Sequence, residues 1–240
     1  MTQAGPVGGR RYSGRDATER VRARRTAILD AALQLFGTTG YAATSVKQVC
    51  REAGLTERYF YESFADRHAC LVALYDDLSA SMRAATMAAV VDAGAAVNEG
   101  AEGAEGAEGT VEQLARFGLS AFVGFLTHDP RRARVVLVQV VGVSPELERL
   151  RHGMLREFAE LTTAVWLGAN DQAGPSDAVR LTAVGLVGAV NHLLVDWLMN
   201  EQQDSPTLLT EVCVALYTAA HRDLAPCYPS TGTQHTGAEA

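Results

Sequence analysis

The stretch from Thr44 to Phe64 constrains the fold of this chain more than any other segment. It contains two short segments with apolar stripes, and Ala53, Gly54 and Leu55 separate them. A tight turn between two such segments is typical of two helices that cross at a steep angle. The pattern therefore predicts a helix-turn-helix.

The first helix of the pair is predicted to begin at Val46. Ser45 followed three residues later by Gln48 is a capping-box pattern, in which each side chain pairs with a backbone amide at the helix start. Apolar residues then recur at helical spacing and predict one buried stripe. Its members are Val46, Val49, Cys50 and Ala53, and Gly54 then permits a positive φ at the turn.

The second helix is predicted to start after Thr56, a natural N-cap residue. Phe60 and Phe64 form its buried side. The remaining residues make a polar and aromatic outer face, which comprises Glu57, Arg58, Tyr59, Tyr61 and Glu62.

A helix on each side completes this N-terminal module. The pattern predicts a bracing helix from about Arg22 to Phe36, ended by Gly37 or Gly40. Asp66 is placed to cap a fourth helix whose apolar stripe is Leu71, Leu74, Leu78 and Met82.

The charge of the chain is unevenly distributed. The chain as a whole carries −7 at pH 7. Residues 10–67 contain eleven basic and seven acidic residues, so they carry +4 and the remainder carries −11. A basic module on an acidic body is expected if one end of the protein meets nucleic-acid phosphate. The module is therefore interpreted as DNA-binding, and its boundaries are predicted at residues 20–66.

Three segments are predicted to lack regular structure. Residues 1–19 are rich in Gly and Arg and are predicted to be a disordered basic arm, which either reaches into a minor groove or remains a solvated tail. The Glu/Gly/Ala tract at 98–109 predicts a flexible linker, because glycine recurs at every third position. The tail at 226–240 is polar and predicted to be loose.

The region from 67 to 225 is predicted to be a second, helical domain. Thr110 with Gln113 forms another capping box, and Asp129-Pro130, Ser144-Pro145 and Ser205-Pro206 each place a capping residue before a proline. Helices are expected near 111–127, 130–141, 145–169, 176–200 and 206–223. Since no useful length of β-type alternation occurs, the fold class is all-α, with about nine helices.

Several other classes of protein are not supported. No run of about 18 apolar residues occurs, so the chain is predicted to be cytoplasmic, without a membrane partner. Its four cysteines, Cys50, Cys70, Cys213 and Cys227, are scattered, which predicts reduced thiols and neither disulfides nor a metal site. No cofactor is predicted. An enzyme is not expected, because no phosphate-binding loop, nucleophile elbow or zinc-binding His motif is present.

Residues 24–78 resemble the TetR family of bacterial transcriptional regulators, over about a quarter of the chain. The matching positions include the first helix ending in Phe36, Gly40-Tyr41, Thr44-Ser45-Val46, Ala53-Gly54-Leu55-Thr56, and Tyr61, Phe64, Arg67 and Leu71. So many positions in register are more specific than a lone helix-turn-helix.

The resemblance implies a homodimer whose two recognition helices enter successive major grooves of a palindromic operator. The resemblance also implies which residues contact DNA. The positions that contact phosphate in the family correspond here to Thr44, Ser45, Lys47, Tyr61 and Arg67. Base-edge contacts are assigned to Gln48, Thr56, Arg58 and Tyr59, because an Arg fork matches guanine and a Gln amide matches adenine. The alternative for Tyr59 and Tyr61 is packing within the module.

Two residues depart from the family's pattern. Glu57 and Glu62 stand where the family often has a basic or small residue and a histidine. Carboxylates near phosphate are unfavourable unless they accept a hydrogen bond from a cytosine amine. These two acids are the support for an alternative function, a helical protein-interaction module that has lost DNA binding.

The resemblance implies that the second domain binds a ligand and dimerises. Large apolar side chains with a few polar groups are typical of a small-molecule site, although each of them could belong to an ordinary core. The candidates are Phe117, Phe122, Phe125, Gln139, Met154, Phe158, Thr162, Trp166, Asn191 and His192.

Helices 8 and 9 are assigned to the dimer interface, since the last two long helices form a four-helix bundle in this family. Gly185, Gly188 and Ala189 would permit close approach of helices. His192 and Asp196 are i, i+4 neighbours that could pair, and with Asn191 they could set the register of the dimer. The predicted function is a repressor that a small apolar effector releases from its operator.

Overall fold

The computed structural model describes residues 12–99, 107–168 and 175–224, and every regular element within these ranges is helical. The prediction of an all-α fold is confirmed. In chain order the helices are α1 (Tyr12–Thr38), α2 (Val46–Glu52), α3 (Glu57–Ser63), α4 (Arg67–Glu99), α5 (Ala107–Thr127), α6 (Pro130–Arg134), α7 (Pro145–Leu167), α8 (Asp177–Met199) and α9 (Pro206–Leu224). A π-helical turn, Val135–Gln139, follows α6 directly.

The chain forms two compact units, Met1–Leu74 and Tyr75–Ala240, and helix α4 belongs to both. In the first unit α1 packs against α2 and α3. Its core includes Ile28, Ala32, Phe36, Val49, Cys50, Phe60, Phe64 and Leu71. Of the stripe predicted on α2, Val49 and Cys50 are buried, whereas Val46 and Ala53 are only half-buried.

In the second unit α5 packs against α9, and α7 packs against α8. One cluster of buried side chains joins these four helices, and Trp166 and Tyr217 are its largest members, with ring centroids 5.2 Å apart. Its remaining buried members are small or branched: Val111, Ala115, Ala159, Val179 and Ala183. Small residues on facing helices allow this close packing.

The helix starts of the second unit follow their capping residues. Asp129 caps α6 by accepting a hydrogen bond from the Arg131 amide at 3.2 Å. Ser144 caps α7, and its hydroxyl accepts from the Leu147 amide at 3.2 Å. The Leu208 amide donates to the Ser205 hydroxyl at 3.1 Å at the start of α9. The structure confirms these three helix starts. They could be predicted from the sequence because a capping hydrogen bond involves only residues that are close in the chain.

Two helices begin earlier than the sequence predicts. Helix α1 starts at Tyr12 rather than Arg22, so residues 12–19 of the predicted arm are helical. Helix α5 starts at Ala107, which places Thr110 inside the helix rather than at its cap. The added segments contain good helix formers, namely Ala17, Glu19 and Arg20 in α1 and Ala107 and Glu108 in α5. Because propagating an existing helix is easier than nucleating one, the helices also extend across Gly14 and Gly109. Residues 1–11, 100–106 and 225–240, which hold the rest of the predicted arm, linker and tail, lie outside the described residues.

The cysteines in the described part of the chain are buried free thiols, as the sequence predicts. They are Cys50, Cys70 and Cys213. Burial raises the pKa of Cys70 to about 12 and that of Cys213 to about 11, so both stay protonated at neutral pH. Cys227 lies outside the described residues.

Helix α8 is apolar on most of its surface. Among the described residues it alone is long and apolar enough to cross a membrane, with a mean hydropathy of 1.6 over its most apolar window. A single such helix is weak evidence for a membrane span, since the packed helices of soluble proteins pass the same test. Only 22% of this window is buried within the chain, however. Much of the apolar surface of α8 is therefore left without a partner in the protomer.

Candidate DNA-binding surface and effector cavity

Local interactions shape the turn between α2 and α3. The Ser45 backbone amide donates to Gln48 Oε1 at 2.8 Å, and the Gln48 amide donates to Ser45 Oγ at 3.3 Å, which confirms the capping box. Gly54 adopts a φ of 65°, a conformation that favours glycine. Thr56 is the N-cap of α3, but its side chain makes no capping hydrogen bond. The exposed Thr56 hydroxyl is thus available to an external group.

Helix α3 is fixed from its inner side. Phe60 is fully buried, and its ring centroid lies 5.6 Å from that of Phe64. Arg25 of α1 places its guanidinium 4.3 Å from the Phe64 ring and donates to the Ser63 carbonyl at 3.1 Å. The bracing role predicted for α1 is therefore performed by specific side chains.

The outer face of α3 carries a network of charged and aromatic side chains. Arg58 is 83% exposed, and its Nε lies 3.0 Å from an oxygen of Glu62. Arg24 of α1 lies 3.9 Å from the other Glu62 oxygen and 4.5 Å from the centroid of the Tyr59 ring. Tyr61 is 55% exposed, with its ring edge against Phe60. Arg58 and Tyr61 are thus accessible groups on the outer face of this helix.

Two residues assigned to phosphate have partners inside the module instead. The side chain of Thr44 is buried, and its hydroxyl donates to the Gly40 carbonyl at 2.8 Å. Arg67 donates to the Thr44 carbonyl and lies 4.3 Å from the centroid of the Tyr41 ring. Both stabilise the loop before α2, and the structure does not bring the Thr44 side chain to the surface.

Gln48 is held by its own capping box. Its carbonyl oxygen accepts from both the amide and the hydroxyl of Ser45, each at 2.8 Å. Reading adenine with a Gln amide needs the oxygen as well as the nitrogen. In this conformation only the amide nitrogen of Gln48 is left for a base.

A concave surface between α2 and α3 gathers polar groups that could meet phosphate. Ser45 and Lys47, which were assigned to phosphate, line it, together with Thr56, which was assigned to base edges, and the acid Glu57. Arg51 also lines it and is an addition to the predicted set. Lys47 and Arg51 are exposed and one helical turn apart, so they lie on the same face. That i, i+4 spacing is the sequence signal that would have identified Arg51.

The second unit contains a cavity lined almost entirely by apolar side chains. Its enclosed part measures about 80 Å³, or about 820 Å³ when the space that opens to solvent is counted. Five of the predicted ligand-binding residues line it, namely Phe122, Met154, Phe158, Thr162 and Asn191. The rings of Phe122 and Phe158 meet edge to face, with centroids 4.9 Å apart.

The other five predicted residues lie outside the cavity wall. Phe117 is 54% exposed, and Trp166 is buried against Tyr217. The Arg132 guanidinium covers the Phe125 ring at 4.7 Å. Gln139 ends the π-helical turn, and His192 is exposed on α8, where no ion pair joins it to Asp196. Lining residues that the sequence did not single out include Thr86, Gly118, Leu137, Leu186, Cys213 and Tyr217.

The described titratable groups with shifted pKa values have structural explanations. Burial raises the pKa of Tyr75 to about 12, and burial likewise raises the pKa of Tyr217. The hydrogen bond from Arg131 lowers the pKa of Asp129, which caps α6. No group of three His, Cys, Asp or Glu side chains among the described residues could hold a metal ion.

Comparison with known proteins relates the N-terminal unit to one family. Residues 28–74 match the family model of the bacterial regulatory proteins of the tetR family. No curated protein matches the chain.

Solved structures match over most of the chain. The fatty acid degradation regulator FadR from Bacillus halodurans is 19% identical, and the match covers 81% of this chain and 94% of that one, with a TM-score of 0.61. FadR from Bacillus subtilis, solved in complex with stearoyl-CoA, is also 19% identical over 81% and 97% of the two chains, with a TM-score of 0.62. A TetR-like regulator from Rhodococcus sp. RHA1 is 17% identical over 83% and 96%, with a TM-score of 0.61.

At these identities the structural matches establish the fold, and the family model covers the helix-turn-helix itself. The exposed outer face of α3 and the cavity in the helical second unit are the features that such a regulator needs to bind DNA and an effector. The N-terminal unit of the chain thus matches the tetR family of bacterial regulatory proteins, and the chain has the fold of solved TetR-like regulators.

Proposed function

We propose that the protein is a repressor that binds a palindromic operator as a homodimer and leaves it when a small, uncharged, mostly apolar effector occupies the cavity. The observation that carries this proposal is the composition of the cavity wall, to which the described part of the chain contributes no charged side chain. Helix α4 contributes Met82, Thr86 and Val90 to that wall, and the same helix begins in the DNA-binding unit.

The cavity wall defines the chemistry of the effector. A charged group would lose its hydration here without gaining a charged partner, which is costly. Polar lining groups such as Thr162, Asn191 and Tyr217 provide a few hydrogen-bonding positions. FadR from Bacillus subtilis was solved with stearoyl-CoA, whose stearoyl chain is apolar and whose CoA group is charged. That ligand supports an apolar chain in a cavity of this fold, and the uncharged character of the effector rests on the cavity wall alone.

The size of the cavity supports a change of state on binding. Small-molecule sites usually measure roughly 300–1,000 Å³, more than the enclosed 80 Å³ here. We therefore expect an effector to displace wall side chains, and Met82, Thr86 and Val90 of α4 are among the candidates. An effector can shift the equilibrium between a DNA-binding conformation and one with a widened cavity only if it binds the widened one more tightly. This widening is therefore the step that would favour release from DNA.

Gly118 gives a test of the cavity with a matched control. A Cβ at Gly118 would lie 2.8 Å from Val90 Cγ2, whereas a Cβ at Gly124 on the same helix meets nothing within 4 Å. Gly118→Ala should weaken effector binding because Val90 must move into the cavity, and Gly124→Ala should leave it unchanged while stabilising α5 by about 0.5–1 kcal/mol. Calorimetric titration with neutral apolar compounds measures both. Equal affinities for the two variants would contradict the proposed site.

Lys47 is proposed to bind phosphate rather than bases. Lys47→Ala should weaken binding to operator and random DNA by the same factor and reduce the salt slope by about two, because the dimer loses one phosphate contact in each protomer. Fluorescence anisotropy over a salt series measures this. Arg58→Ala is the contrasting variant, since loss of a base contact should cost about 1–3 kcal/mol at one base step only. A sequence-selective loss in Lys47→Ala would show that it reads bases.

The proposed dimer interface consists of two exposed apolar stripes. On α8 the stripe runs through Leu181, Val184, Gly185, Gly188 and Met199, and the two glycines have open space around them. On α9 the exposed residues Leu208, Val212 and Leu216 recur at every fourth position. Two adjacent helices with apolar stripes can bury them by packing against the same helices of a second copy. His192 and Asp196 lie on the same exposed face of α8, where they would set the register of that bundle.

The alternative is a helical interaction module that has lost DNA binding. It depends on Glu57 and Glu62, whose negative charges lie on the outer face of α3. The ion pairs that Glu62 makes with Arg58 and Arg24 weaken this alternative, because they neutralise one of the two charges within the protein.

A further inference from the structure

Glu62 lies between two arginines on the surface proposed to meet DNA. One carboxylate oxygen is 3.0 Å from Arg58 Nε on the same helix, and the other is 3.9 Å from Arg24 Nη2 on α1. Arg24 in turn covers the Tyr59 ring at 4.5 Å. Two arginines, one from α3 and one from α1, therefore flank the Glu62 carboxylate.

The hydrogen bond at Nε determines which edge of the Arg58 guanidinium is free. The guanidinium has five N–H donors, and Glu62 occupies the one on Nε. The donors on Nη1 and Nη2 have no protein partner among the described residues, and the side chain is 83% exposed. Two parallel N–H groups on one edge match the O6 and N7 acceptors of guanine in the major groove.

We propose that Glu62 is a positioning residue for sequence readout, which holds Arg58 through Nε so that its Nη1 and Nη2 edge meets guanine. This inference rests on the proposed function, because it requires Arg58 to contact a base. A free arginine samples many rotamers, whereas one already held by a fixed carboxylate loses less freedom when it binds. Glu62 thus increases the discrimination of Arg58 between guanine and the other bases, even though it places a negative charge near phosphate.

Glu57 provides a matched control. It is an exposed acid on the same helix, and it forms no ion pair among the described residues. Removing either acid changes the charge of the DNA-binding surface equally, but only removal of Glu62 frees Arg58. Glu62→Gln is the conservative variant, since its amide oxygen can still accept from Nε, more weakly than a carboxylate.

The experiment selects binding sites from a random DNA pool with the wild-type full-length chain and then measures competition by each single-base variant of the selected site. Arg58→Ala identifies the guanine step. We expect Glu62→Ala to lower guanine discrimination at that step at least about fivefold, Glu62→Gln to restore part of it, and Glu57→Ala to leave it unchanged. Affinity of Glu62→Ala for random DNA should not fall, and circular dichroism checks that each variant is folded.

Three results would overturn the inference. If Glu62→Ala and Glu57→Ala tighten binding to all sequences alike with unchanged discrimination, Glu62 only repels DNA. If Glu62→Ala changes preference at a different step, where cytosine is selected, Glu62 reads a base directly. If the wild-type chain selects no sequence at all, the proposed function fails and the inference fails with it. The first two results leave a selected wild-type site in place, so they are distinguishable from the third.

Discussion

Glutamate in place of both Leu181 and Val184 will make the protein monomeric and abolish its binding to an operator. The two side chains are 58% and 46% exposed and lie one turn apart on α8. In the proposed bundle each glutamate would be buried without a partner charge, which costs several kcal/mol. Since the two-fold symmetry of a dimer doubles every substitution, four buried charges would oppose association.

The loss of DNA binding follows from the loss of the second module. Two linked modules bind two half-sites with an affinity that exceeds that of one module by a factor of about 100 to 10,000. Sedimentation velocity gives the mass of the particle, and anisotropy with operator DNA gives its affinity. A double variant that sediments as a dimer would contradict the assignment of α8 to the interface.

Val91 and Val141 provide the control for this prediction. Their side chains are 62% and 50% exposed, which is comparable to the α8 pair, but neither lies on α8 or α9. Replacing both with glutamate should leave the protein dimeric. If this control variant also dissociates, exposure alone rather than position on α8 explains the effect.

Phe60→Ala will unfold the DNA-binding unit. Phe60 is fully buried and contacts the Phe64 and Tyr61 rings at centroid distances of 5.6 Å and 5.5 Å. Truncation of a buried phenylalanine lowers the free energy of unfolding by about 3–5 kcal/mol, because the protein loses the hydrophobic free energy of the ring and also retains a cavity in its place. That is a large part of the stability of a small unit. Hydrogen exchange should show loss of protection in α1–α3, and DNA binding should be lost.

The neighbouring Tyr61 is the control for this substitution. Its side chain is 55% exposed, so Tyr61→Ala removes a ring of similar size from the surface. Its effect on the free energy of unfolding should stay within about 0.5 kcal/mol. Retention of protection in α3 of Phe60→Ala would show that the helix-turn-helix does not depend on this core.

Features that depend on neighbouring residues could be predicted from the sequence. The Ser45 and Gln48 capping box, the positive φ of Gly54 and the inward positions of Phe60 and Phe64 all follow from short-range spacing. Helix starts were less predictable where a helix extends upstream of a capping residue, as α5 does through Ala107, Glu108 and Gly109 before Thr110. A capping pattern indicates where a helix is able to begin, and propagation then decides whether it begins earlier.

The candidate site was less predictable because it depends on which helix faces meet. Spacing along α5 and α7 placed Phe122 and Phe158 on apolar faces, but it did not predict that Thr86 of α4 and Tyr217 of α9 complete the same wall. The contacts of Glu62 could not be predicted from the sequence for the same reason. In the sequence it is an unexpected acid, and only the positions of Arg24 and Arg58 give it a partner on each side.

The salt dependence of DNA binding by the wild-type chain tests the account most directly. Each phosphate neutralised by the dimer should contribute about −0.9 to the slope of log K against log salt. With six or more phosphate contacts, affinity for a selected palindrome should fall about a thousandfold or more between 50 and 200 mM salt, with two chains bound per site. Binding that is absent at low salt, or that does not change with salt, would contradict the assignment of this chain as a DNA-binding regulator.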